Sequence, residues 1–339
     1  MNLHLDTTAF QVLLNDIHDK TGYRLDVLEK DYYVVLLLKE LAAMQDEGLK
    51  AYFKGGTALY KALKTTNRFS EDIDLSVDTR DLSRTQNDKQ LEKATKKYSS
   101  LERLPEEGKT NRSEVIAVYR YSPITEYDKD DALQRFGKLK VESTSFTISE
   151  PVSDMEVSAM IYDLATDEQK KILTEQYSVC PFSVKTITLE RIFIDKLFAA
   201  EAYVRKSDEP HRAFEAAKHI YDLSVMSSHP QITELYADEA EMQRLLQIRL
   251  TEEQSRLDGI PNLLPKDFLF FNTVRENAKV RQAYEIMQRQ YVFRECDRIP
   301  FDAATAALTN IYGKLVQNKA WQFAEITVKP TKAKDREAR

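Results

Sequence analysis

Two carboxylates one residue apart, Asp72 and Asp74, stand near the end of a stretch that opens on glycines: KGGTALYKALKTTNRFSEDIDLSVD, from Lys54 to Asp78. Alternate residues of a strand share a face, so the two carboxylates project together. Carboxylates that close repel, and the arrangement costs little only with a cation between them; hard oxygen donors select Mg²⁺ or Mn²⁺. Gly55 and Gly56 lack the Cβ that would hold a phosphate away, and a helix starting there offers free N–H groups and a positive dipole end. A phosphate grip and paired carboxylates are the two parts of metal-assisted phosphoryl or nucleotidyl transfer. Alone, a Gly-Gly-Thr is usually a turn and cap, and a D-x-D a solvated strand edge. Their order, strand, Gly-Gly, helix, D-x-D strand, lifts the pair above that baseline.

Several elements must position these residues. Phe10, Leu13, Leu14 and Ile17 recur at helical spacing and predict a helix over 8–18. A second, over 26–44, is apolar on more than one face and is expected to be deeply packed. KAYFKGG reads as a short strand, TALYKALK as a helix that Thr57 can cap, and DIDLSV as a strand. Residues 79–113 are highly charged and read as a solvated helix plus loop. EVIAVYRYSP and FGKLKVESTSFTIS read as paired strands, VSAMIYDL and FSVKTI as further short ones. After Thr188 the pattern is helical: LERIFIDKLFAAEAYV, HRAFEAAKHIYDLSVM, then 231–256, about 275–293 and about 302–323, with GIPNLLPKDF as a loop. The expected fold is α+β: a catalytic mixed-sheet domain over 1–185, a helical domain over 186–325 completing a cleft, and a frayed basic tail over 326–339.

Composition narrows the function further. Among 339 residues there are only two cysteines, Cys180 and Cys296, which argues against a disulfide framework or a cysteine zinc site and fits a reducing cytoplasm. MNLHLDTTAFQ has no signal-peptide character, and YYVVLLL is too short to span a bilayer, so no membrane association is expected. The net charge is −6, so a nucleic-acid substrate needs a local basic patch. The five histidines lack a metal spacing; His211 and His219 read as loose polar positions. There is no G-x-x-x-x-G-K-[ST] loop and no Ser-His-Asp or Cys-His arrangement.

FKGGTALYKALKTTNRFSEDIDLSV resembles the first motif of the AbiEii/AbiGii-type nucleotidyltransferase toxins, bacterial proteins of the polymerase-β-like superfamily. Gly55, Gly56, Thr57, Arg68, Ser70, Asp72, Ile73, Asp74 and Leu75 occupy its positions. LEKDYYVVLLLKEL resembles the helix preceding it. LERIFIDKLFAA, with Lys196, and KHIYDLSVM, with Asp222, are similar to a later two-helix motif, in which His219 stands where an aspartate is usual. The resemblance runs from about residue 25 to 227, with no family signal after about 230.

The resemblance implies a metal-dependent transfer of NMP from an NTP to an acceptor hydroxyl, by the toxin of a toxin–antitoxin or abortive-infection pair with a cognate antitoxin. RNA, such as tRNA, is the expected acceptor. Asp72, Asp74 and a third carboxylate, Glu142 or alternatively Glu156, would hold Mg²⁺ or Mn²⁺; Glu142 could instead serve as base. Gly55, Gly56, Thr57, Arg68, Ser70 and Lys196 would hold the nucleotide, with Asp222 as ion partner of Lys196. Lys61 and Lys64 read as solvated helix residues that raise local potential. With Lys54 and Arg68, facing Arg205, Lys206 and Arg212, they would make a positive groove. The alternatives are a small-molecule (antibiotic) nucleotidyltransferase and a catalytically idle nucleotide- or partner-binding protein.

Overall fold

The computed structural model describes residues 2–126, 136–255 and 267–319. The first helix, α1 (Thr7–Thr21), is capped by Asp6, whose carboxylate accepts from Ala9 N at 3.0 Å. It ends at Gly22, φ +74°, and buries Phe10, Leu13, Leu14 and Ile17. The second, α2 (Leu25–Asp46), is buried on more than one face, and its buried set includes Glu29, Lys30 and Asp31. Strand β1 (Ala51–Lys54) leads directly into α3 (Gly55–Lys61), and β2 (Ile73–Val77) follows.

Next come α4 (Arg84–Lys96), β3 (Glu102–Thr110), β4 (Glu114–Arg120), β5 (Lys138–Thr144), β6 (Val152–Val157), α5 (Met160–Asp163), α6 (Asp167–Tyr177) and β7 (Phe182–Ile187). The later described elements are helical: α7 (Leu189–Arg205), α8 (Pro210–Met226), α9 (Pro230–Ala237), α10 (Glu239–Ser255), α11 (Phe270–Thr273), α12 (Ala278–Tyr291) and α13 (Phe301–Gln317). The architecture is therefore α+β, as expected. No helix among the described residues is long and apolar enough to cross a membrane.

The seven strands form one mixed sheet in the order β3-β4-β5-β2-β1-β7-β6. Strands β1 and β2 pair antiparallel with Lys54 opposite Asp74, while β2 and β5 pair parallel with Asp74 opposite Glu142. Along β5 the side chains alternate. Leu139, Val141 and Ser143 are buried on the side covered by α4, whose Thr95 hydroxyl contacts that of Ser143. Lys138, Lys140 and Glu142 take the other face. The sheet thus keeps one face for its core and sends Asp74, Lys140 and Glu142 out from the other.

Some expectations change. Residues 79–113 hold more than a solvated helix and loop: α4 buries Leu91, Ala94 and Thr95, and 102–110 form β3. β3 is a charged edge strand, exposed at nearly every position, so apolar alternation does not betray it. VSAMIYDL is not a strand of its own: Val157 ends β6 and Met160 starts α5. Thr57 is not the cap of α3, which begins two residues earlier at Gly55. Most of GIPNLLPKDF, the end of the helix expected to 323 and the whole basic tail lie outside the described residues.

Candidate active site

The two halves of the motif meet face to face. Gly55 has φ +81°, where side chains are strained, and a Cβ there would collide with the Asp74 carboxylate. A Cβ on Gly56 would lie 2.8 Å from Ser70 Oγ and 3.0 Å from an Arg68 guanidinium nitrogen. The glycines are thus needed for the approach of the motif's own side chains. Thr57, third in the helix, donates its hydroxyl to the Asp72 carbonyl at 2.5 Å and lies 3.0 Å from Ser70 Oγ.

Asp74 and Glu142 are neighbours across β2 and β5. Burial first, then the nearby Glu142 charge, push the Asp74 carboxyl up to about 6; Asp72 adds to this, and Lys140 and Lys54 oppose it. Lys140 places its ammonium 3.1 Å from Asp72 and 3.2 Å from Glu142, a positive charge lodged between two carboxylates. Sequence reasoning missed Lys140, whose role exists only because β5 lies beside β2. Among the described residues no three acidic, His or Cys side chains already converge tightly enough to hold an ion by themselves. Glu156, the alternative third carboxylate, lies on β6 at the far edge of the sheet.

A buried charged triad forms the second wall. Arg68 grips Asp222 through two hydrogen bonds of 2.7 Å, and Lys196 reaches the same carboxylate at 2.8 Å. Burial alone would raise Asp222, but the two cations override it and hold the carboxyl well below its usual range. Burial lowers Lys196, against the pull of Asp222. Asp222 is the ion partner expected for Lys196, and it also accepts two hydrogen bonds from Arg68; Lys218 pairs instead with Glu215. His219 stacks on Tyr203 at 5.4 Å; burial, then the Lys196 charge, depress its pKa well below the ordinary value.

The expected positive groove loses two members, because Lys61 is buried against Asp31 at 2.8 Å and Arg68 against Asp222. Arg205 and Arg212 pair with Glu201 and Glu209, while Lys64 and Lys206 are exposed. Lys61 reads as solvated only when α2 is ignored.

In α2 the Glu29-Lys30-Asp31 triplet divides its work among three segments. Glu29 accepts from the backbone of Ile124 and Thr125, Lys30 pairs with Glu71 immediately before Asp72, and Asp31 accepts from Lys61, Tyr60 and Met160 N. On the other side, Arg191 holds Glu252 at 2.7 Å, and Arg191 and Arg249 both reach Asp195 at 3.2 Å. Glu252 also accepts from Ile148 N, next to Thr147 and Ser149, whose hydroxyls meet Ser76 of β2. Residues at the end of α12 and just after it are further tied to the motif loop. Phe69 N donates to Tyr291 O at 2.7 Å and Phe293 N to Asn67 O at 3.0 Å.

No curated protein matches the chain. Among solved structures, MenT4, a nucleotidyltransferase toxin from Mycobacterium tuberculosis, is similar at 15% identity and a TM-score of 0.46, covering 89% of this chain and 98% of that one. JHP933 from Helicobacter pylori is similar at 15% identity and a TM-score of 0.36, covering 88% and 99%. The family model described as "Nucleotidyl transferase AbiEii toxin, Type IV TA system" matches residues 36–308, so the family signal extends well past residue 230, through the helices that brace the motif loop. On that match the chain belongs to the AbiEii family, the nucleotidyltransferase toxins of type IV toxin–antitoxin systems.

Proposed function

We propose that this cleft moves NMP from an NTP to a hydroxyl of RNA, tRNA being the expected acceptor, with Mg²⁺ or Mn²⁺ held by Asp72, Asp74 and Glu142. The observation that carries the reading is Asp74 set opposite Glu142 at the Gly55 turn. The residues fit a divalent ion: the donors are hard oxygens, burial and then their mutual repulsion raise Asp74, and the Lys140 ammonium already stands among them as a substitute cation. Such an ion supplies neutralisation of phosphate charge.

The chain's own groups do the rest. The attacking hydroxyl gives its proton to water as its oxygen bonds to the α-phosphorus, with Glu142 kept as an ion ligand. The bond from that phosphorus to the bridging oxygen breaks, and pyrophosphate leaves with its electron pair. Lys196, held by Asp222, keeps N–H donors for the triphosphate, and Ser70 adds a hydroxyl beside the glycine turn. Arg68 positions the loop that carries Ser70 and Asp72. A cognate antitoxin opposes the outcome of this activity, and Lys64 and Lys206 are exposed cations available to RNA.

The test is incubation with Mg²⁺, total RNA and each NTP, labelled in turn on the α- or γ-phosphate. RNA should gain the α label and never the γ label. Transfer of the γ label, or of α label to protein or an aminoglycoside alone, contradicts the proposal.

A further inference from the structure

We infer that a second cleft, at the C-terminal end of α3, is a subsite for an unstacked nucleobase; this rests on the nucleotidyl-transfer reading above. The cleft holds about 440 Å³, within the range of small-ligand sites. Tyr23, Tyr60 and Phe293 line it as an aromatic wall, with Phe293 5.7 Å from Tyr23 and 5.8 Å from Tyr60. Tyr23 and Phe293 are only partly buried, so ring surface remains open. Thr66 also lines the cleft. It is 4% exposed, and its hydroxyl has no hydrogen-bond partner among the described residues. A buried hydroxyl left unpaired is costly, so this one marks a place where a ligand's polar edge would be gained.

Lys64 and Asn67, both exposed, also line the cleft. Aromatic surface, a hydrogen-bonding hydroxyl and an ammonium together are the chemistry that takes a base and its phosphate. The location suits catalysis. The seven residues of α3 span about 10 Å, with this cleft at one end and Gly55 against Asp74 at the other. Thr66 and Asn67 lead into Arg68, Ser70 and Asp72, and this wall is stitched to residues 291–293. A base held there belongs either to the acceptor strand or to the NTP, one helix length from the reacting phosphorus.

The experiment uses the full chain, Tyr23→Leu and Thr66→Val. Fluorescence anisotropy reads binding of a labelled single-stranded RNA hexamer without NTP, and calorimetry reads each Mg–NTP without RNA. In Tyr23→Leu one probe should bind roughly ten-fold more weakly. Thr66→Val, which keeps the side-chain shape, should weaken the same probe several-fold and change its base preference. Loss of RNA affinity assigns the subsite to the acceptor, and loss of NTP affinity to the donor nucleotide. If Tyr23→Leu does not fold, Thr66→Val decides. Both probes bound as tightly by Thr66→Val as by the wild type, without altered base preference, overturn the subsite while leaving the catalytic reading intact. A wild type that binds neither probe overturns both.

Discussion

Arg68 and Asp222, 154 residues apart, are joined by two hydrogen bonds of 2.7 Å in a site where neither side chain is more than 3% exposed. This pair fastens the loop carrying Ser70 and Asp72 to α8 of the helical half, and Lys196 of α7 shares the same carboxylate. Removing one member of a buried ion pair strands the other charge. Asp222→Asn should therefore destabilise the protein by about 3–5 kcal/mol in urea unfolding. Arg68→Met, Lys196→Met and Asp222→Leu together, which leave no charge of the triad stranded, should cost clearly less. Equal losses would show that the pair is solvated and not a structural clasp.

Gly55 offers a cleaner separation of strain from chemistry. Gly55 and Gly48 both have positive φ, +81° and +92°, but only at Gly55 would a Cβ meet Asp74; at Gly48 it meets nothing. Either substitution by Ala should cost on the order of 1 kcal/mol through the backbone. Only Gly55→Ala should also abolish nucleotidyl transfer. Comparable transfer by both variants would mean that the close approach to Asp74 does not matter.

Lys140 stands where positive charge relieves Asp72 and Glu142, so an incoming divalent ion competes with it. Lys140→Met should increase the rise in melting temperature caused by Mg²⁺ alone, because ligand binding to the folded state stabilises it. A smaller Mg²⁺ response in Lys140→Met would instead make Lys140 a support of the ion site.

His219 ties stability to pH. In the unfolded chain it titrates near 6.5. In the fold, burial and the positive charges of Lys196, Arg68 and Lys218, against the opposing charge of Asp222, hold it neutral to well below that value. Below pH 6.5 the unfolded state therefore binds more protons, and stability falls as pH drops. Above 6.5 this contribution is constant. His219→Gln should flatten the decline in melting temperature between pH 7 and 5; a decline as steep as the wild type's would assign the effect to other groups.

What could be read from the sequence was local. The glycine turn and the Asp72–Asp74 spacing lie within one stretch, and strand periodicity predicts both carboxylates on one face, although β2 begins at Ile73, one residue after Asp72. Glu142 was reachable through the family's known need for a third carboxylate, and the structure brings it beside Asp74. Lys140 and Lys61 were lost for the opposite reason. Each looks like an ordinary surface lysine until β5 is placed against β2, or α2 against α3. Strand β3 was hidden by its charged edge, and the part played by residues 291–293 depends on backbone hydrogen bonds no side-chain pattern records.

The central claim is that the Asp74 carboxylate serves metal-dependent nucleotidyl transfer. Wild type and Asp74→Asn, both checked by melting for an intact fold, should be given Mg²⁺, α-labelled NTPs and total RNA. The account predicts labelled RNA and released pyrophosphate from the wild type, and at least about a hundred-fold loss in Asp74→Asn, the scale expected when a group stabilising transition-state charge is removed. Labelling of RNA by folded Asp74→Asn at the wild-type rate would contradict it.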